Sequence, residues 1–239
     1  MEEVRPGAFW LAESVETDFI QRIRGNGEYC LSDSELYQAF EACYNYDIFN
    51  ALSRYLLGKG PLGRYLNRLN LQECIYPENY VKLHFTENHD RIRTAALLPD
   101  LRNRRHLMAF TMFQKGMSFI YNGQERSTAA FANIFEKKPI DWTGPDLTDV
   151  IVKMKKLKET EIFAAGSFFA DEVRDGVVRA VYTYGKEKLV GLFAIGSGVV
   201  GVDTGLPDGP YRNLYSGEEI YIYHGAVPVG EDPVIIGCL

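Results

Sequence analysis

Three short apolar runs in this chain each end in side chains that can take part in acid–base chemistry. FWLAES, HFTENHD and FIYNGQE carry these polar groups after their apolar residues: Glu13, then Glu87, Asn88, His89 and Asp90, then Gln124 and Glu125. A carboxylic acid can donate a proton to a leaving oxygen, and a second carboxylate can stabilise a cationic sugar. An imidazole beside such a pair can hydrogen-bond sugar hydroxyls. The side-chain types therefore indicate glycosidic bond cleavage, provided that the ends of the three runs meet.

The elements between these clusters predict how the ends meet. The runs at residues 8–12, 81–85 and 117–121 are short and strand-like. They alternate with helical patterns at residues 48–56, 104–115 and 147–157. Strands that alternate with helices form parallel βαβ units, and the carboxyl ends of parallel barrel strands converge on one face. We therefore expect Glu13, Asp90 and Gln124 to project into a common pocket.

The sequence changes character near residue 170. Residues 177–184, 188–195 and 219–224 are strand-like, and turn residues such as Asp175-Gly176 and Ser216-Gly217 separate them. Short strands at this spacing, without helical periodicity, are typical of a small antiparallel sandwich. The predicted division is a unit of parallel strands and helices at residues 1–169, followed by a β unit at residues 170–239.

Each polar cluster also has an ordinary structural explanation. A glutamate after an apolar run is commonly a solvated loop residue, and Asp90 is equally able to cap a helix or to pair with Arg91 or Arg93. Three such clusters in order, each at the end of a predicted strand, favour a functional site.

The three motifs together resemble glycoside hydrolase family 13, the α-amylase family. FTENHDRIR at residues 85–93 resembles the family's NHD region, FWLAES its strand 5 segment, and FIYNGQE its strand 8 segment. The β-rich tail resembles the family's C-terminal domain. The resemblance implies an α/β fold, a partial TIM-type (β/α)8 barrel made of strands 5 to 8, followed by a small antiparallel β-sandwich.

The resemblance also implies roles for individual residues. Glu13 matches the general acid/base, Asp90 the carboxylate that stabilises the transition state, and His89 a histidine that binds hydroxyls of the reacting sugar. The other matched positions are expected to bind substrate or to orient the site, and they are Asn88, Arg93, Gln124 and Glu125. The implied activity is that of a retaining α-amylase or α-glucosidase acting on α-glucan oligosaccharides.

One catalytic group of the family has no match in these residues. The family's nucleophile is an aspartate in a Gly-x-Arg-x-Asp motif that precedes the strand 5 segment, and this segment begins here at residue 8. Asp47 follows an aromatic stretch but lacks that surrounding motif. We therefore expect these 239 residues to be inactive alone. The alternative is a non-catalytic carbohydrate-binding or scaffold module.

Composition and the N-terminal sequence limit the kinds of binding partner and the cellular compartment that we expect. A formal charge of -6 and a pI near 5.3 argue against nucleic-acid binding. The four cysteines form no metal-ligand spacing, so we expect no metal site and no cofactor, and any family calcium site would lie on an N-terminal half. No run is long enough to span a membrane, and the absence of a signal-like N-terminus predicts a cytoplasmic location. A half barrel has two open sheet edges, so the expected partners are a complementary N-terminal half or a second copy.

Overall fold

The computed structural model describes residues 5–131, 133, 135–196 and 198–238, and its first sheet has four parallel strands. The strands are β1 (Leu11–Ala12), β2 (Ala42–Tyr44), β3 (Lys82–His84) and β4 (Met117–Ser118), and they lie side by side in that order. Every neighbouring pair is parallel. The loops that follow the strands therefore leave the sheet at the same edge.

Helices connect the strands, and local sequence explains where several of them begin. The helices are α1 (Thr17–Gly25), α2 (Asp33–Leu36), α3 (Tyr46–Leu56), α4 (Leu62–Ile75), α5 (Thr94–Leu97), α6 (Leu101–Phe113), α7 (Thr148–Leu157) and α8 (Glu161–Ala165). Helix α6 begins after Asp100, whose carboxylate accepts a hydrogen bond from the Asn103 amide at 2.8 Å. Helix α2 has a capping box, in which Glu35 accepts a hydrogen bond from the Ser32 amide. Among the described residues, every helix is too short to cross a lipid bilayer.

The C-terminal part is built from antiparallel strands. They are β5 (Ser167–Arg174), β6 (Val177–Tyr184), β7 (Glu187–Ala194), β8 (Val200–Asp203), β9 (Gly209–Arg212), β10 (Glu219–Ile222), β11 (Ala226–Val229) and β12 (Val234–Cys238). They form a four-stranded sheet in the order β12-β7-β6-β5 and two pairs, β10-β9 and β11-β8. Antiparallel pairing of short strands joined by tight turns is what the sequence predicts for this region.

The largest hydrophobic core is shared between the helices and the antiparallel sheet. Phe113 at the end of α6 contacts Phe193 on β7 and Tyr182 on β6, with ring centroids 5.3 and 5.4 Å apart. The Tyr182 hydroxyl also donates a hydrogen bond to the Phe113 carbonyl at 2.9 Å. A second apolar cluster lies within the β-strands themselves, around Leu192 and Ile236.

Each predicted apolar run contains a parallel strand, but the strands are shorter than the runs. The first run pairs only at Leu11–Ala12, and the third only at Met117–Ser118. One strand, β5, begins at Ser167, slightly before the predicted division, which stays a prediction. Strand β2 follows a polar segment and is only three residues long, so hydrophobicity predicts this strand only weakly.

Candidate active site

A pocket at the carboxyl ends of β1 and β3 contains the two predicted catalytic carboxyl groups. Its volume is about 300 Å³, and Glu13 and Asp90 both line it. Ligand atoms of Glu13, His89 and Asp90 lie within 4.8 Å of one another, and the His89 Nε2 is 3.4 Å from an Asp90 oxygen. The Asp90 side chain is 56% exposed, so it is open to a ligand from solvent. The structure therefore brings Glu13 together with His89 and Asp90, which follow it by 76 and 77 positions in the chain.

Asn88 holds the loop that carries Asp90. Its side-chain oxygen accepts a hydrogen bond from the Asp90 amide at 3.0 Å, and its side-chain nitrogen donates to the Tyr46 hydroxyl at 2.6 Å. Asn88 is 1% exposed, so both ends of its amide are used inside the protein. Burial raises the pKa of Tyr46, which keeps that hydroxyl neutral. Asn88 thus positions Asp90, and its side chain is not open to a ligand.

An ion pair joins the two loops that carry Glu13 and Asp90, the predicted catalytic residues. Arg91, directly after Asp90, pairs with Glu16, which is three residues after Glu13. The Arg91 guanidinium also lies over the rings of Tyr46 and Phe49, 5.2 and 4.9 Å from their centroids. The Ser14 hydroxyl ties the first loop to β2 by donating to the Tyr44 carbonyl at 2.9 Å. We name Arg91 and Glu16 the loop clamp.

Arg93 is buried and does not line the pocket of Glu13 and Asp90, and both of its terminal guanidinium nitrogens are hydrogen-bonded while its Nε has no partner. Its guanidinium donates to the Glu87 carboxylate at 2.7 Å and to the Asn122 carbonyl at 3.0 Å. Arg93 is 2% exposed and Glu87 is 1% exposed. The second Glu87 oxygen accepts the Thr94 amide at the start of α5. Arg93 therefore orients a carboxylate, as the resemblance implied, but this carboxylate belongs to Glu87 and is buried.

Gln124 and Glu125 do not line the pocket of Glu13 and Asp90, which corrects the expectation of convergence for Gln124. The Gln124 amide donates to the Thr86 hydroxyl at 2.9 Å, and Gln124 lines a separate, nearly filled cavity together with Glu87. The Glu125 backbone accepts the Leu147 amide, and one buried Glu125 oxygen has no hydrogen-bond partner. The reason is local geometry: β4 ends at Ser118, so five residues separate it from Gln124, and Gln124 begins a 3₁₀ turn in which its side chain is buried.

Asp47 is locked into a different cluster. One of its oxygens is 3.2 Å from the buried Lys82 ammonium, and the other accepts hydrogen bonds from Gln72 and Tyr76 at 2.8 Å. Asp33 is the second carboxylate on Lys82. Asp47 is 9% exposed and does not line the pocket of Glu13 and Asp90.

Sequence reasoning missed the loop clamp. Arg91 was considered as a partner of Asp90 because it is the next residue in the sequence. No sequence motif or pattern pointed to Glu16. Their pairing spans 75 positions, and only the parallel arrangement of β1 and β3 brings them together. The same three ligand atoms of Glu13, His89 and Asp90 are close enough to hold a cation, but a partly exposed acidic cluster does not by itself indicate a metal.

Comparison with known proteins defines the class of the C-terminal part. Residues 169–236 match the model of the bacterial α-amylase C-terminal domain. The whole chain superimposes on an α-amylase from Lactobacillus plantarum with a TM-score of 0.91 and 32% identity, covering 100% of this chain and 57% of that one. A maltogenic α-amylase, AmyB from Thermotoga neapolitana, superimposes with a TM-score of 0.79 and 22% identity, with 56% of that chain covered.

A sequence relative agrees with these structures. Alpha-amylase 2 from Dictyoglomus thermophilum is 21% identical over 216 residues, which are 80% of this chain and 35% of that protein. The resemblance to the α-amylase family, glycoside hydrolase family 13, is confirmed. The chain spans 57% and 56% of the length of these two solved relatives and 35% of the length of Alpha-amylase 2.

Proposed function

We propose that these residues supply the general acid/base and the transition-state-stabilising carboxylate of a retaining α-amylase-type hydrolase that acts on α-glucans. The observation that carries the proposal is the meeting of Glu13, His89 and Asp90 within 4.8 Å at the carboxyl ends of parallel strands. Glu13 donates its proton to the glycosidic oxygen as the bond breaks. The Asp90 carboxylate stabilises the positive charge that develops on the sugar, and His89 hydrogen-bonds a neighbouring hydroxyl.

The parallel sheet is proposed to be one half of an eight-stranded barrel. Four parallel strands alternate with helices, and β1 and β4 are the outer strands of the sheet. A complete barrel needs eight strands. Residues 1–169 then form the half barrel and residues 170–239 the β unit. A complementary N-terminal half, or a second copy of the chain, would pair with the two outer strands and cover the groove of about 740 Å³ beside Met117 and Ile120.

The nucleophile is proposed to come from a segment outside these 239 residues. A retaining mechanism needs a nucleophilic carboxylate about 5 Å from the acid, and Asp47 is engaged by Lys82. Glu13 and Asp90 alone bind and polarise a sugar without forming a glycosyl-enzyme intermediate. Cys30, Cys43, Cys74 and Cys238 are free, which fits the reducing cytoplasm that we propose as the location.

Hydrolysis and binding assays test the proposal together. We expect the purified chain to release no more sugar from starch, maltodextrin or a chromogenic α-glucoside than its Glu13→Gln variant releases. We also expect measurable binding of maltooligosaccharides, weakened by Asp90→Ala. Turnover that disappears in Glu13→Gln would reveal a nucleophile within these residues. Equal binding by the Asp90→Ala variant would remove Asp90 from the site and leave a carbohydrate-binding or scaffold module.

A further inference from the structure

Tyr46 lies between the two loops that carry Glu13 and Asp90. It begins α3, two residues after the end of β2, and β2 is the strand between β1 and β3. Tyr46 is 5% exposed, and it lines the pocket together with Glu13 and Asp90. A single side chain from the middle strand is therefore in a position to affect both carboxyl groups.

The Tyr46 hydroxyl is the acceptor that orients the Asn88 side chain. The Asp90 backbone amide can only donate, so the Asn88 oxygen accepts from it, at 3.0 Å, and the Asn88 nitrogen faces Tyr46. That nitrogen donates to the Tyr46 oxygen at 2.6 Å. Asn88 is 1% exposed, so water does not readily replace a lost acceptor there. The orientation of Asn88, and with it the hydrogen bond to Asp90, depends on the oxygen of Tyr46.

The ring of Tyr46 has a separate packing role. It stacks on Tyr44 with ring centroids 5.9 Å apart, and it meets Phe85 edge-on at 5.0 Å. The Arg91 guanidinium lies over its face, 5.2 Å from the centroid. A phenylalanine ring would make the same contacts, so packing does not require the hydroxyl. The hydroxyl contributes the hydrogen bond to Asn88.

We propose that Tyr46 is a positioning residue, whose hydroxyl holds Asp90 in place through Asn88 while its ring supports Arg91 of the loop clamp. The role assigned to Asp90 rests on the proposed function. The Tyr46 oxygen does not need to touch the sugar, because the Asn88 side chain connects it to the Asp90 backbone. The Asp90 carboxylate consequently keeps its position relative to Glu13, although its side chain is 56% exposed.

Tyr46→Phe tests the hydroxyl alone, because it keeps the ring beneath Arg91. In nuclear magnetic resonance spectra, we expect the Asp90 amide proton to exchange with water about tenfold faster in Tyr46→Phe, since its acceptor on Asn88 is no longer held by a buried hydrogen bond. Tyr65→Phe is the matched control. Tyr65 is 3% exposed, its hydroxyl bonds to Gln114, and it does not line the pocket. This control should leave the exchange rate at Asp90 unchanged, and circular dichroism spectra verify that each variant is folded.

Calorimetric titration with maltotetraose measures the effect on the site. We expect Tyr46→Phe to weaken binding about five- to tenfold, and Tyr65→Phe to stay within about twofold of the unmodified chain. In the Asn88→Ala background, Tyr46→Phe should cause no further loss of affinity, because the connection to Asp90 is already broken. A general structural role of the hydroxyl would instead lower the affinity by the same factor in both backgrounds.

The exchange measurement separates this proposal from the proposed function. An unchanged exchange rate at Asp90 or an unchanged affinity in Tyr46→Phe would overturn the positioning role, and so would equal losses of affinity with and without Asn88. If the unmodified chain does not bind maltotetraose, the proposed function fails, and the exchange rate at Asp90 alone decides about Tyr46. Faster exchange in Tyr46→Phe but not in Tyr65→Phe then supports the positioning role, and an unchanged rate overturns it.

Discussion

Arg91 and Glu16 show how a pair of charges outside the predicted motifs positions the residues inside them. Each member of this loop clamp lies within three positions of a predicted catalytic carboxyl group, and the pair closes the pocket on one side. Both side chains are less than one third exposed, so the pair is screened less than a surface salt bridge. The geometry of Glu13 relative to Asp90 therefore depends on residues that do not need to touch the sugar.

A double-mutant cycle tests the loop clamp. We expect Arg91→Met and Glu16→Gln each to lower the free energy of unfolding by about 1–2 kcal/mol, with a coupling energy of about 1 kcal/mol. Binding of maltooligosaccharides should weaken in both variants, because the loops that carry Glu13 and Asp90 lose their connection. Urea unfolding and calorimetric titration measure the two effects.

Arg22→Met is the control for the loss of a stacked arginine, since Arg22 lies over the Phe19 ring at 5.3 Å without joining the two loops. Additive costs in the cycle would show that Arg91 and Glu16 act independently.

The residue scale also shows the limit of motif reading. The NHD segment predicted that His89 and Asp90 belong to a site, and the structure brings them to Glu13. The NHD segment did not predict which of its polar side chains are exposed and which are buried, because a sequence motif does not show which side of a loop faces solvent. Asn88 and Arg93 consequently turned out to be buried partners of Tyr46 and Glu87.

At the scale of the element, two of the three residues of β3 are buried polar residues. Its Lys82 and His84 are both buried on one face of the sheet, and Leu83, which lies between them in sequence, is buried on the opposite face. Lys82 is 0% exposed and pairs with Asp33 from α2 and Asp47 from α3. Burial raises the pKa of Asp33 in spite of the Lys82 charge beside it. The strand thus binds two neighbouring helices through charge in addition to apolar packing.

Replacing Lys82 tests this charge cluster. We expect Lys82→Met to destabilise the fold by about 3–5 kcal/mol, because two buried carboxylates lose their counter-ion. Adding Asp33→Asn and Asp47→Asn should recover a large part of that loss, since the uncompensated charges are then gone. Urea midpoints of the single and triple variants measure this. A triple variant less stable than Lys82→Met would contradict the explanation.

His84 and His106 predict how stability changes with pH. Burial lowers the pKa of His84 to about 3, and burial lowers the pKa of His106 to about 4. The unfolded chain has a histidine pKa near 6.5, so between about pH 6.5 and these values it binds protons that the folded chain does not. The stability from both groups is therefore complete above about pH 6.5 and is lost as the pH falls, by about 1.4 kcal/mol per pH unit for each group.

Urea midpoints between pH 7.5 and 5 measure this slope. We expect the His84→Gln/His106→Gln variant to show a clearly flatter dependence than the unmodified chain, even though it is less stable at pH 7.5. The exposed His224 provides the matched control in His224→Gln, which should keep the steep dependence. An identical slope in all three proteins would rule out the buried histidines as its source.

Element types were more predictable from the sequence than element lengths. Strand β6 occupies the predicted residues 177–184, because this long run of β-branched and aromatic residues is bounded by the turn residues Asp175-Gly176 and Gly185. Strands β1 and β4 are two residues long, because the flanking apolar residues Phe9 and Ile120 face solvent or a groove without pairing. Hydrophobicity alone does not reveal where hydrogen bonding between strands stops.

At the scale of the whole molecule, the helices and the antiparallel sheet share one core, so they should unfold together. Phe113 is fully buried between α8 and strands β6 and β7. We expect Phe113→Ala to cost about 3–5 kcal/mol and to lower the stability of both parts. The unmodified chain and the variant should each show one transition in calorimetry and the same midpoint by tryptophan fluorescence and circular dichroism.

Val190→Ala is the control for a loss confined to the β-strands, because Val190 belongs to the second apolar cluster. Two resolved transitions in either variant would show that the parts are stabilised separately.

The contacts between α6 and the antiparallel strands limit how this protein can be recombined with its relatives. His106 on α6 accepts the Ala194 amide through Nδ1 and donates through Nε2 to the Gly230 carbonyl, at 3.1 and 3.0 Å. Tyr182 reaches the last turn of the same helix. A chimaera that takes only the antiparallel strands from a relative would leave the buried His106 ring without its hydrogen-bond partners. It would also leave a cavity where Tyr182 packs against α6. Donor segments should therefore begin upstream of α6, so that helix and sheet are inherited as a matched set.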